Sequence, residues 1–201
     1  MPLTINQARA EEQSRAKRLK ATTRTVHEGV DHSIMAAAAF DTIGGYKRFL
    51  AIQYRFHRDV AALYADLRFQ AVLPDLVQRS RLPLIMADMT DLGLILPDAG
   101  LPAFAAASPA DRGTAMGWLY VAEGSNMGAA LLRKEAQKLG LTDSLGARHL
   151  APAPEGPAAH WRTFTAALDR VALTDEEEKQ AGEGALEAFA RVQAHIDAYL
   201  D

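Results

Sequence analysis

Along most of the chain, apolar side chains recur every three or four positions, the spacing that lines one face of an α-helix, and no useful stretch alternates in twos. From about Ser14 to Ala38, the apolar Leu19, Val26, Val30 and Ile34 fall on one side at intervals of seven and four. "FDTIGGYKRF" carries a Gly-Gly break. After it a second helix is expected from Tyr46 to Phe69, with Tyr46, Phe49, Leu50, Val60, Tyr64 and Leu67 as its inner face. Pro74, Pro83 and Pro97 then punctuate a region of short helices. "SPADRGTAMGWLY" opens a long helix with Ser108 as N-cap and Pro109 at the first helical position, running to Leu139 and stopping at Gly140. The loop "HLAPAPEGPAAHW" leads into a helix from about Glu155 to Val171, and "TDEE" at 174–177 is a capping box that starts a last helix toward Tyr199. The expected class is all-α, one domain over residues 1–201, with residues 1–13 read as a flexible N-terminal segment.

Composition narrows the picture. A length of 201 residues, 49% hydrophobic and 23% charged, suits a globular chain with a substantial core. No run of about 18 uninterrupted apolar residues is present, so no membrane span is expected. The N-terminus has acids and no apolar stretch, unlike a secretory signal. With no cysteine there is no disulfide, thiolate nucleophile or cysteine-held iron–sulfur cluster, and a cytoplasmic protein fits best. The net charge of −3 argues against nucleic acid as a partner. Charge is unevenly spread: Arg15, Lys17, Arg18, Lys20 and Arg24 form a basic patch, and "DEEE" at 175–178 is acidic. Most of these read as solvated faces; Lys20 and Arg24 are set apart by their company.

That company lies in "LKATTRTVHEGVDHSIM", residues 19–35, where Lys20, Arg24, His27 and Asp31 follow at spacings of four, three and four. In a helix all four side chains share one stripe. A lone helical histidine is commonly structural. Here Asp31, one turn on, can accept a hydrogen bond from the imidazole, orienting it and raising its basicity as the outer partners of metal ligands do. Lys20 and Arg24 can pair with ligand carboxylates. Haem offers both an iron that takes an axial imidazole and two propionates. His32 is an alternative ligand but points to a different side.

A second unusual stretch is "GWLYVAEGSNMGAALL" at 117–132, with Gly124 and Gly128 on one face. Each glycine costs a helix roughly 1 kcal/mol against alanine. Close helix–helix packing would explain them. So would the approach of backbone to a flat ligand, since a Cβ there would collide with it. On the second helix Gln53 and His57, four apart, continue the apolar line. They read either as a satisfied structural pair or as a pair holding ordered waters over an open iron position.

Taken together, "LKATTRTVHEGVDHSIM" resembles the proximal helix of haem oxygenases, and "LYVAEGSNMGAALLRKEAQKLGL" their distal helix. The resemblance runs over about residues 15–195 and is nearest to the bacterial branch that supplies biliverdin to phytochromes or releases iron from haem. It implies His27 as the axial iron ligand, with Asp31 where the family often has an acid near that imidazole. It also implies Lys20 and Tyr120 as propionate holders in members that cleave at the α-meso carbon, with Arg24 at a basic proximal-helix position. Gly124 and Gly128 match the distal glycines, and Gln53 and His57 match positions that organise distal water. His149 ("GARHL") and Trp161 ("HWRTF") lie in similar stretches without an assigned role. Animal members carry an aspartate directly after the first distal glycine; this chain has Ser125. The implied activity is opening of haem to biliverdin IXα, carbon monoxide and ferrous iron, with haem as both substrate and cofactor. O2 and an external electron donor, a ferredoxin or a flavin reductase, are the implied co-reactants. The patch at Lys17 and Arg18 is a docking candidate for that donor, and a phytochrome is a candidate acceptor of the bilin. A haem carrier would share His27 but release haem intact. A helical enzyme of the thiaminase type relies on a cysteine, which this chain lacks.

Overall fold

Capping chemistry sets where most of the helices begin. A computed structural model describes residues 14–37, 39–98, 100–106 and 110–200. Helix α1, Arg15–Ala36, starts where the Ser14 hydroxyl accepts the Lys17 N–H. Helix α2, Ile43–Ala65, starts where the Thr42 hydroxyl accepts the Gly45 N–H at 3.0 Å. Gly44 and Gly45 therefore lie inside its first turn and do not break it, contrary to the sequence expectation, because an N-cap upstream satisfies the turn. Helix α2 ends at Ala65. Asp66 then accepts the Arg68 N–H at 2.8 Å and opens the short α3, Leu67–Gln70. Leu67, expected on the inner face, falls past this break and is 77% exposed.

Short helices α4, Leu76–Arg79, and α5, Leu82–Asp91, follow, the latter with Pro83 in its first turn. The long α6 spans Arg112–Lys138 and is capped by Asp111, whose carboxylate accepts the Thr114 N–H at 2.8 Å. The expected cap residues Ser108 and Pro109 lie outside the described residues, as does the segment 1–13. Gly140, just past the end of α6, takes a φ of +81° that favours glycine. A 3₁₀ turn at Arg148–Leu150 precedes α7, Pro157–Arg170, and α8, Asp175–Leu200. The capping box of α8 is reciprocal: the Glu177 N–H reaches the Thr174 hydroxyl at 3.2 Å, and the Thr174 N–H reaches the Glu177 carboxylate at 2.8 Å. The described residues form an all-α protein without strands. None of their helices is long and apolar enough to cross a membrane.

Helix α8 is the spine of the packing. It runs against α1, α2 and α6, while α1 and α6 scarcely touch each other. The α6–α8 contact is made by small residues. A Cβ at Gly117 would run into the carbonyl of Ala181 and the backbone nitrogen of Ala185, and one at Gly184 would meet the Thr114 carbonyl oxygen at 2.7 Å. The main core, with Leu19, Val30, Phe56, Leu119, Phe164 and Ile196, fills the space among α1, α2, α6, α7 and α8. Val26, expected on the inner face of α1, is 38% exposed. Periodicity marks a face, but only a neighbour buries it.

Ion pairs tie the ends together. Arg15 is buried and grips Glu178 at 2.7 Å, the carbonyl of Val171 at 2.8 Å and the carbonyl of Leu168. Arg18 reaches the same carboxylate at 2.9 Å. Arg15 and Glu178 are therefore not among the solvated charges of the basic patch and acidic run: Arg15 is interior, and Glu178 is its counter-ion. Hydrogen bonding by Arg15 holds the Glu178 carboxyl below its usual range despite partial burial. A second hub lies at Asp59. This buried carboxylate accepts Arg191 Nε at 2.7 Å, His195 Nε2 at 3.0 Å and the Ala103 N–H at 2.9 Å.

Candidate functional site

Helix α1 presents Lys20, Arg24, His27 and Asp31 to solvent along one stripe. The His27 side chain is 58% exposed, and its Nε2 lies 3.5 Å from Asp31 Oδ2. Its ring rests on Phe189 of α8, with centroids 5.3 Å apart. That contact gives the imidazole an apolar support, while the carboxylate one turn on restrains its rotation. Val26 and Met35 add exposed apolar surface beside it on the same helix. His32 is exposed too, with no such support.

Helix α6 changes character midway. From Ala115 to Glu123 every residue is buried; from Ser125 to Leu131 most are exposed. A Cβ at Gly124 would make ordinary contact with the Trp161 ring, 3.6 Å away, and one at Gly128 would meet nothing within 4 Å. Close helix packing therefore does not explain these two glycines; it explains Gly113, Gly117 and Gly184. On the face that carries Gly124 and Gly128 stand Tyr120, Met127 and Leu131, the last two exposed. Tyr120 packs on Trp161 at 5.6 Å between centroids, and burial pushes its hydroxyl up to about 12, so it stays a hydrogen-bond donor at neutral pH. The Ser125 hydroxyl donates back to the Ala122 carbonyl at 2.7 Å.

Helices α2 and α5 and the 3₁₀ turn bring a buried polar cluster together. The Asp88 carboxylate accepts the backbone N–H groups of Arg148 and His149 at 2.9 and 3.0 Å and lies 2.8 Å from His149 Nδ1. Burial opposes the Asp88 charge, but these bonds outweigh it and hold its carboxyl below the usual range. An ionised carboxylate can only accept, so His149 carries its proton on Nδ1 and leaves Nε2 as a bare acceptor. Among the described residues, that Nε2 is buried without a hydrogen-bond partner, as are His57 Nδ1 and the side-chain nitrogen of Asn126. Burial, then the nearby His149 and Arg81, lower His57 to about 3, so its ring is neutral at physiological pH. Arg81 fastens Asn126 by a 3.1 Å bond from Nε to Oδ1 and reaches the Ala151 carbonyl at 3.1 Å. Buried polar atoms without protein partners are characteristically satisfied by ordered water.

One more buried charge sits beside the glycines. Glu123 accepts the Tyr64 hydroxyl at 2.8 Å and Arg79 at 2.9 Å. The same Arg79 nitrogen lies 3.0 Å from His160 Nε2, whose Nδ1 is 2.7 Å from Glu155. Arginine only donates, so His160 Nε2 accepts, and Nδ1 donates to Glu155.

The structure thus gathers the candidates into three groups: His27 with Asp31; Tyr120, Gly124 and Trp161; and His57 with His149. Gln53 is partly exposed one turn from His57, and no hydrogen bond links the α1 group to the α6 group among the described residues. Clefts of about 120 Å³ beside Phe104 and about 330 Å³ between Arg18 and Glu183 are lined by neither His27 nor Gly128. Sequence reasoning missed Arg81, Asn126, Asp88, Arg79 and Glu123. A signal existed for two of them: Asp88 interrupts the apolar "LPLIMADM", and Glu123 interrupts "WLYVAEG". An acid inside an apolar run marks a buried, partnered carboxylate.

Comparison with known proteins bears on this arrangement. The family model described as "Heme oxygenase" matches residues 98–197. The protein "Heme oxygenase PigA" of Pseudomonas aeruginosa is 37% identical over 177 residues, covering 88% of this chain and 88% of that protein. The solved structure of the NO- and CO-bound heme oxygenase from Neisseria meningitidis superposes with a TM-score of 0.87 at 41% identity, covering 93% of this chain and 92% of that one. Heme oxygenase 2 from Chlamydomonas reinhardtii, without heme, shares the fold at a TM-score of 0.71 and 17% identity, covering 92% of this chain and 97% of that one.

Proposed function

The chain belongs to the haem oxygenase family, and from that premise we infer how its own residues hold haem for oxidative cleavage of the ring. Haem is both cofactor and substrate: when bound it supplies the iron that activates O2 and the macrocycle that is opened. The residues fit such a group. Helices α1 and α6 share a packing partner yet leave their exposed faces unpacked. One of those faces offers an imidazole with cations, the other bare backbone with apolar side chains. The open-faced Gly128 on a helix that elsewhere packs tightly is the single observation that carries the reading.

In this reading His27 would hold the haem iron, and Asp31 would set the orientation and basicity of its imidazole. The Lys20 ammonium and the Tyr120 hydroxyl bind the propionates, with Arg24 as a second cation on the same stripe. Tyr120 suits this role because its raised pKa keeps the donating proton in place. These anchors would orient the ring in its plane, and we propose the IXα isomer of biliverdin. Gly124 and Gly128 let the α6 backbone approach the ring, where any Cβ would stand in the way. His57 holds no exchangeable charge near neutral pH. Its contribution, with Gln53, is to hold water: its unpartnered Nδ1 and the bare Nε2 of His149 are fixed sites between which water can pass a proton. The Ser125 proton is committed to the Ala122 carbonyl, so toward a ligand or water Ser125 can only accept. Electrons come from a separate donor, for which the α1 surface at Lys17 and Arg18 is the proposed docking site. Charge reversal at Lys17 is expected to slow reduction and leave haem affinity intact.

The test is direct. Added haem should give a Soret band, and reductant in air should bleach it while a broad red bilin band grows. Intact haem after reductant and air would mean a carrier. The His27→Ala variant should lose turnover while retaining apolar binding of haem; unchanged turnover would move the ligand elsewhere.

A further inference from the structure

From Ala115 to Glu123 every residue of α6 is buried; beyond Glu123 the helix packs on one side, through Ala129 and Ala136, and exposes the other. The Glu123 carboxylate, 2% exposed, is the last buried group before the glycines. Two other elements grip it: Tyr64 of α2 at 2.8 Å and Arg79, at the end of α4, at 2.9 Å. Arg79 is itself fixed by the Pro74 carbonyl at 3.3 Å and by His160 Nε2 at 3.0 Å. The residue after His160 is Trp161, whose ring lies against Gly124. One buried ion pair therefore anchors α6 one residue before Gly124 and also anchors the helix that backs that glycine from behind.

We propose that the Glu123–Arg79 pair is a positioning device for the reaction: it sets where the Gly124–Gly128 backbone stands relative to α1, and so which meso edge of the ring is attacked. Neither residue touches the ring; both act through the α6 backbone. The inference rests on the reading that haem sits between His27 and the α6 glycines. A buried ion pair is weak evidence for stability, because well-packed apolar residues can replace it at little cost. What an apolar pair cannot reproduce is direction. The Glu123 oxygens accept from two donors on different elements, which restrains α6 against both sliding and rotation.

Glu123→Gln keeps the shape but removes the charge: its oxygen can accept from Arg79, and the bond Tyr64 donates to a charged carboxylate is lost, leaving at most a neutral one in the reverse direction. Amide exchange in residues 124–133 of the haem-free chain should quicken about tenfold, the factor expected for one lost hydrogen bond to a charged group, while the 112–123 half and α8 change little. With haem, reductant and air, a single bilin isomer should become a mixture. Uniform acceleration across the core with an unchanged isomer would overturn the proposal, since a purely structural pair predicts that pattern.

A double variant, Arg79→Met with Glu123→Leu, removes both buried charges and should melt higher than Arg79→Met alone, in which the Glu123 charge is stranded. Loss of isomer selectivity and fast exchange in 124–133 should persist in it; return of both to their original values would overturn the proposal. Tyr64→Phe removes one bond without stranding a charge and should shift both readouts the same way by a smaller factor. If the unaltered chain bound no haem through His27, the ring seat would be wrong, and the exchange measurements would still test the pivot.

Discussion

Alanine at Gly128 and alanine at Gly117 should move stability in opposite directions, although both glycines lie inside α6. At Gly128 the new methyl meets nothing within 4 Å, so only the helix propensity changes. That is worth about 0.5–1 kcal/mol in favour of alanine. For a chain of this length the gain corresponds to a rise in melting temperature of about 1–4 °C. At Gly117 the same propensity gain is opposed by contact with the Ala181 carbonyl and, at 2.6 Å, the Ala185 nitrogen. Both are backbone atoms of α8 and cannot rotate aside. Overpacking of this kind costs about 1–3 kcal/mol or more, so the net change is a loss of roughly 2 kcal/mol. Thermal melts of the haem-free chain read both signs. Turnover then separates the roles. Gly128→Ala places a methyl where the ring should lie, and the same overpacking range predicts a fall of roughly five- to hundredfold in bilin formation. A Gly128→Ala chain that is more stable and fully active would refute the argument that the glycine exists for ligand approach; one less stable than the parent would refute the packing analysis itself.

Other outcomes follow from the buried charges. Arg15→Met strands two carbonyls and removes the buried one of Glu178's two counter-ions, and chemical denaturation should show a loss of about 3 kcal/mol. Because the folded Glu178 carboxyl is held below its ordinary value, its contribution is complete above that ordinary value and drains as pH falls through the lower folded one; Arg15→Met should flatten this acid limb. His57 acts in the same direction over a higher pH window. Its folded value of about 3 lies below its ordinary unfolded one, so stability should fall as pH drops below that unfolded value, by about 1.4 kcal/mol per pH unit until near pH 3. Urea melts of His57→Leu should lack this slope, and an unchanged slope would place the titration elsewhere. Asp59→Ala leaves His195 and the Ala103 N–H without their shared acceptor, while the partly exposed Arg191 turns to water, and should cost about 1–3 kcal/mol, read as a lowered denaturation midpoint.

The α1 stripe was legible without coordinates because its residues are neighbours in sequence, and helical spacing alone places Lys20, Arg24, His27 and Asp31 on one line. The capping box at Thr174 and the stop at Gly140 were legible for the same reason. The Gly-Gly expectation failed because the Thr42 cap outweighs the propensity of the two residues that follow. The polar cluster behind the α6 glycines was not legible: Asp88 meets His149 and Arg79 meets Glu123 across separations of 61 and 44 residues, which no local period encodes.

By itself, then, the amino-acid order determined an all-helical chain and the chemistry displayed along each helix, since both follow from short-range periodicity and end-capping. Tertiary structure alone decided which glycines are packed and which are open. Gly117 and Gly128 look alike in sequence, but α8 lies against only the first. It also decided which histidines meet a carboxylate or a guanidinium, and that the buried His57 ring is neutral. Burial, and the direction from which Asp88, Arg79 and Asp59 approach, set each imidazole's hydrogen-bonding role, and those are properties of three-dimensional packing.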